Sequence, residues 1–262
     1  MEAKFEKQSF IKKLKSMLKV DFKRMFTMPL VYIMAGVCFV MPILILVMTT
    51  MMGGEADPTT GEEAMAGFTN VWQSIGSVSG SEMAMDLTSM CNINMLYFLV
   101  AVLVCVFVAE DFRSGYAKNL FTVRAKKVDY VISKSLVTFV GATAMFLMYF
   151  IGAMIGGAIA GLPFTTEGFG AGGIVACMFS KIFMTAIFVS IALLLGVVAK
   201  QKLWLSIIGS FAAGMLLFTM IPMISPLNSN FINVVMCFAG GALFAVGLGA
   251  ISNLILNKTS LV

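Results

Sequence analysis

A chain of 262 residues with 60% apolar and only 12% charged side chains cannot clothe a soluble domain of its size, and a mean hydropathy of +0.97 points to lipid as its solvent. Its net charge of +5 comes without a single histidine, which removes the commonest general base and the commonest metal ligand. The five cysteines (Cys38, Cys91, Cys105, Cys177, Cys237) form no CxxC pair and read as packing residues, with a Cys91–Cys177 bridge outside the membrane as the weaker alternative.

Residues 1–28 carry eight basic side chains, and Phe10, Ile11, Leu14, Met17, Leu18, Phe22 and Met25 recur at three- and four-residue steps among them. That spacing predicts an amphipathic helix lying in the membrane interface, its basic side toward anionic headgroups. Six apolar stretches follow, at about 29–50, 92–109, 134–157, 178–199, 202–223 and 231–256, each near the ~20 residues that cross the hydrocarbon. The first is too long for a signal-peptide core and lacks a small-residue cleavage site, so it reads as a retained anchor. Pro29 opens it at a position helices tolerate, and Pro42 within it predicts a kink.

The loop 51–90 carries Glu55, Asp57, Glu62, Glu63, Glu82 and Asp86 without a cation. A capping box at Thr60–Glu63 and a stripe of Met65, Phe68, Trp72 and Ile75 predict a short helix over 61–76, resting on the outer leaflet or on other helices. Met65, Phe68, Trp72 and Lys181 are the candidates for a substrate path, and the loop's acidity makes cationic peptides the first cargo to test. Lys181, in the fourth span, is expected to snorkel to the external interface. Gly152…Gly156, Gly157…Gly161 and the Gly241–Ala245–Gly249 series predict close helix packing in the third and sixth spans. Residues 257–262 form a tail.

Lysine and arginine fix the orientation. They fall before the first span, between spans two and three, at Lys200 and Lys202, and at Lys258, whereas 51–90, 158–173 and 224–230 have none. Six spans put every basic cluster on one side, which the positive-inside rule makes cytoplasmic, with both termini inside. The expected fold is therefore all-α and polytopic, a six-helix transmembrane domain in a cell membrane, probed by no nucleic acid. No span has a central Asp or Glu, so an ion-driven carrier has nothing to bind its coupling ion, and an intramembrane protease has no aspartate pair, Ser–His or metal motif.

The most informative segment is the loop 110–133. Glu110 and Asp111 close span two, Gly115 permits a sharp turn, and a short basic-polar helix is expected over about 116–123. Glu110, Gly115, Lys118, Asn119, Arg124 and Lys134 together make this chain resemble the membrane-spanning (permease) subunits of type-2 ABC exporters, as do the interfacial helix, six spans and long first external loop. The resemblance implies that Glu110, Gly115, Tyr116, Lys118, Asn119 and Arg124 belong to a coupling helix that docks into an ATPase. No GxxxxGK[ST] motif and no Gly-Lys pair occurs, so ATP and Mg would belong to a separate ATPase subunit and the chain itself would not be an enzyme. Six helices are half a pathway in that family, which implies a second membrane subunit, identical or homologous. The expected cargo class is amphipathic: an antimicrobial peptide, a drug or a lipid. A non-catalytic membrane anchor or passive channel subunit is the alternative.

Overall fold

The computed structural model describes residues 10–52, 68–76, 92–122, 126–218 and 220–258. The expected cap at Thr60–Glu63, the positions of Met65, Cys91 and Arg124, and the last residues of the tail lie outside them. Among the described residues there are helices, turns and no strand, an all-α polytopic membrane protein.

The amphipathic segment is helix α1 (Phe10–Thr27), separated by Met28 alone from α2 (Pro29–Met52). Proline at the first position of α2 needs no N–H there, and the helix continues through Pro42 as one element. A 3₁₀ turn (Ile93–Met95) leads into α3 (Leu96–Arg113), followed by the short α4 (Tyr116–Thr122) and the long α5 (Lys127–Ala160). Then come α6 (Gly170–Ala199), α7 (Leu203–Phe218), the single turn α8 (Ile221–Ile224) and α9 (Phe231–Lys258).

Two boundaries extend past charged residues for the same reason, and α6 also begins early, at Gly170 rather than about 178. Span two runs on through Glu110, Asp111 and Arg113, and span three begins at Lys127 rather than 134. Charged side chains end an apolar stretch but not a helix, and here Asp111 and Lys134 are paired, so nothing stops the backbone hydrogen bonding. The fifth stretch departs the other way. Helix α7 has 16 residues, about 24 Å, short of a ~30 Å hydrocarbon core, whereas α2, α3 with its leading turn, α5, α6 and α9 are long and apolar enough to cross.

Helix α6 is the hub, packing on α3, α5, α7 and α9, while α2 lies along α5. The α2–α5 seam rests on the first GxxxG pair. A Cβ at Gly152 would collide with the Phe39 carbonyl oxygen, and one at Gly156 would lie 2.7 Å from the Cα of Ile43. Only hydrogen fits, and the backbones touch. Gly241 does the same for α9, where a Cβ would sit 2.6 Å from the Phe183 carbonyl oxygen. Helix α3 is the most enclosed of the spans and α9 the least. Exposed Val, Ile, Leu, Met and Phe cover the outer faces of α2, α7 and α9, as lipid requires.

The two ends of the bundle differ in chemistry. At one end α1, the end of α3, α4, the start of α5 and the end of α9 meet: Arg113 Nε donates to the Gln201 carbonyl at 3.3 Å, and Lys127 Nζ to that of Leu256. The far end is closed by residues 68–76. Asn70 caps the 3₁₀ turn Val71–Ser74 and reaches the Thr165 carbonyl at 2.8 Å, while Val71, Ser74 and Ile75 are fully buried. The stripe therefore seats on the helices rather than on the outer leaflet: Phe68 and Ile75 are core residues, and half-buried Trp72 meets Phe150 and Phe164. Among its described residues, 68–76, the hydrogen bonds follow a 3₁₀ turn over Val71–Ser74 with an Asn70–Gln73 capping box, and the earlier residues of the expected helix, 61–67, lie outside them.

Candidate functional site

Met17, Asp21 and Met25 follow one another at four-residue steps along the buried face of α1. A carboxylate on that line cannot be buried alone, because an uncompensated charge in an apolar interior costs several kcal/mol, roughly what a small domain has in total. Its partners come from α5. Lys134 Nζ lies 2.9 Å from Asp21 Oδ1, and Ser133 Oγ donates to Asp21 Oδ2 at 2.6 Å. The same ammonium is 2.7 Å from Asp111 Oδ2 at the end of α3. Asp111 also accepts from Arg24 Nη1 at 2.6 Å and from the Tyr130 hydroxyl at 2.9 Å. Two carboxylates and two cations form one closed, neutral cluster in which Asp21, Asp111 and Lys134 are fully buried.

Aromatic rings complete the enclosure. The Lys134 ammonium stands 3.7 Å from the centre of the Phe107 ring, and the Arg24 guanidinium 3.8 Å from that of Tyr116. Both place positive charge over a negative ring face. Burial alone lowers the affinity of the Arg24 guanidinium for its proton, but Asp111 foremost, then Tyr116 and Asp21, more than offset this, so its pKa is raised and it stays charged. Burial pushes the Tyr116 hydroxyl up, as do the Asp21 and Asp111 carboxylates, with Arg24 pulling partly against them, so the ring remains a neutral phenol. The cluster is a four-way joint: it fastens α1, α3 and α5 together and, through Tyr116, holds the first residue of α4.

The expected coupling residues divide on this geometry. Gly115 has φ +72°, and with Ser114 it turns the chain between α3 and α4. Tyr116 faces inward onto Arg24, while Lys118 and Asn119 are exposed on α4. Glu110 is exposed as well, its carbonyl accepting from Ser114 N at 2.9 Å and from Ser114 Oγ at 2.7 Å. The acid that reads as the loop's signature thus faces solvent, and its neighbour Asp111 makes the buried pairs. Asp21 and Asp111 are the residues that sequence reasoning missed. The available signal was Asp21 itself, one acid on the apolar line of a basic helix.

At the far end Lys181 does not snorkel. It is fully buried about three turns into α6, and Nζ donates to Asn94 Oδ1 at 2.7 Å and to Ser225 Oγ at 3.2 Å. Neighbouring helices enclose it: the Tyr97 hydroxyl donates to the Lys181 carbonyl at 3.1 Å, and the free thiol of Cys177 to that of Ser225 at 3.4 Å. Among the described residues no group of three or more His, Cys, Asp or Glu side chains could hold a metal ion. No family model, curated protein or solved structure matches the chain.

Proposed function

We propose that this chain is the membrane-embedded half of an ATP-driven exporter, with six spans and both termini in the cytoplasm, and that α4 receives the stroke of a separate ATPase subunit. The observation that carries this reading is the buried ion cluster. A helix of seven residues has no stability of its own. Tyr116 attaches it to a joint that already binds α1, α3 and α5, so a push on α4 moves whole helices rather than a loop. Arg113, Ser114, Lys118, Asn119 and Thr122 remain exposed around it, a polar surface open to a partner.

The topology belongs to the same proposal. Five long helices and the α7–α8 pair make six crossings, with α8 continuing toward the far surface after the short α7. The gathering of α1, α4 and the ends of α3, α5 and α9 at one end of the bundle is what the positive-inside rule requires of a cytoplasmic face. The sparse burial of α9 leaves room for lipid or for a second membrane subunit. ATP and Mg would be held by the ATPase, the cargo would be amphipathic, and the setting would be a bacterial cytoplasmic membrane.

The test is purification of the tagged chain from its native membrane. An ATPase subunit is expected to accompany it, the purified chain alone is expected to show no hydrolysis, and Lys118→Glu with Asn119→Asp should break the association. A chain that comes out alone and conducts solute passively is a channel, and one with neither property is an anchor.

A further inference from the structure

Helix α1 has 18 residues, and at 3.6 per turn its side chains fall on four lines. Met17, Asp21 and Met25 make the line buried on the protein. The line opposite is Lys12, Lys19 and Lys23, all exposed, with Lys15 exposed beside it. The one acid of the helix, Asp21, is committed to the ion joint, and among the described residues none of these four lysines has an ion-pair partner.

The two remaining lines tell where the lysines face. One carries Lys13, Ser16, Arg24 and Thr27, with Val20 its only apolar member. Arg24 lies against Tyr116, so this polar flank is turned toward α4. The other carries Ile11, Leu18, Phe22 and Phe26. Ile11 is 72% exposed, and the rings of Phe22 and Phe26 stack at 6.2 Å. The Phe26 carbonyl accepts from the Tyr32 hydroxyl at 2.7 Å, and Tyr32 belongs with Ile33 to the exposed apolar face of α2. This flank therefore continues the lipid-facing surface of α2. The lysines lie between a polar flank and a flank set against acyl chains, which is the level of the phospholipid headgroups.

We infer that Lys12, Lys15, Lys19 and Lys23 bind the phosphate groups of anionic phospholipids in the cytoplasmic leaflet, and that this contact steadies the ion joint, because Asp21 and Arg24 ride on the same helix. An acidic face of a soluble partner would satisfy the lysines but leave Ile11 and Phe26 beside them uncovered, whereas lipid covers both. The inference goes beyond the exporter reading and takes from it only that this end of the bundle is cytoplasmic. Lipid binding needs no ATPase, so the two can fail separately.

The experiment is competition between phosphatidylglycerol and phosphatidylcholine of the same acyl chains for the purified full chain, read by native mass spectrometry, with thermal unfolding in nanodiscs of each lipid alongside. The unaltered chain is expected to favour phosphatidylglycerol at least about tenfold, within what four lysines give at an anionic surface, and to lose the preference in high salt. It should also melt at a higher temperature in phosphatidylglycerol. Lys12→Gln/Lys15→Gln/Lys19→Gln/Lys23→Gln should remove both differences while melting like the unaltered chain in phosphatidylcholine, and arginine at the same four positions should retain them. Lys200→Gln/Lys202→Gln, at the same end of the bundle but off α1, should leave the preference in place. Equal binding of the two lipids by the unaltered chain overturns the proposal, as does undiminished preference in the glutamine variant. Preference without a difference in melting overturns the link to the joint. A glutamine variant that keeps its lipid preference and loses a co-purifying ATPase places the stripe against that subunit instead. Absence of lipid preference while an ATPase still co-purifies overturns this site alone.

Discussion

Glu110 and Asp111 are neighbours in sequence and opposites in environment, one exposed and one without accessible surface. Asp111→Asn leaves Lys134 and Arg24 sharing Asp21, and breaking a buried pair in this way costs about 3–5 kcal/mol. A large fall in melting temperature in detergent is expected, while Glu110→Gln melts like the unaltered chain. Equal melting of both variants would dismiss the cluster as a joint. Gly115 offers a second contrast. Nothing lies within 4 Å of where its Cβ would be, so the whole cost of a side chain comes from φ +72°. Gly115→Val should lose about 1–3 kcal/mol, and Gly115→Asn clearly less because asparagine visits the left-handed region more readily. The measurement is denaturant or thermal unfolding, and identical values for the two variants would sink the backbone argument.

At the scale of elements, the α2–α5 seam is the clearest case of sequence acting through space. Gly156→Leu places a side chain against the Ile43 backbone, which cannot rotate away as a side chain would, and overpacking of this kind costs about 1–3 kcal/mol or more. Gly36, also on α2, has open space around it, so Gly36→Leu should leave stability unchanged or raise it. Comparable losses in the two would argue against a close seam. Helix α1 was legible as amphipathic, but not the division of its surface. Lys12, Lys15, Lys19 and Lys23 form an exposed stripe, and the opposite line of Met17, Asp21 and Met25 packs on the protein. Periodicity locates a stripe; it does not say whether lipid or another helix covers it.

For the whole molecule the proposed topology makes a direct prediction. Asn228 and Asn119 are both exposed at opposite ends of the bundle. Asn228→Cys should react with an impermeant thiol reagent on intact cells, and Asn119→Cys only after permeabilisation. The native thiols at 38, 105, 177 and 237 are buried and should contribute little background, and Cys91→Ser is introduced alongside each variant. Labelling of Asn119→Cys from outside would overturn the six-span arrangement and the docking role of α4 together.

Composition, run length and the placement of lysine and arginine by themselves determined that this is an all-α membrane protein, where its long helices run, and that Gly115 breaks the chain between α3 and α4. These properties are local: lipid demands a minimum apolar length, and only glycine adopts a left-handed turn without strain. The fates of charged side chains were decided by tertiary structure alone. Glu110 against Asp111, and Lys134 against Lys181, are pairs of like residues whose difference lies in what another helix brings within 3 Å. The pairing that joins Asp21 to Lys134 spans more than a hundred residues of chain, and Coulomb energy in a low-dielectric interior depends on that final distance rather than on any sequence pattern.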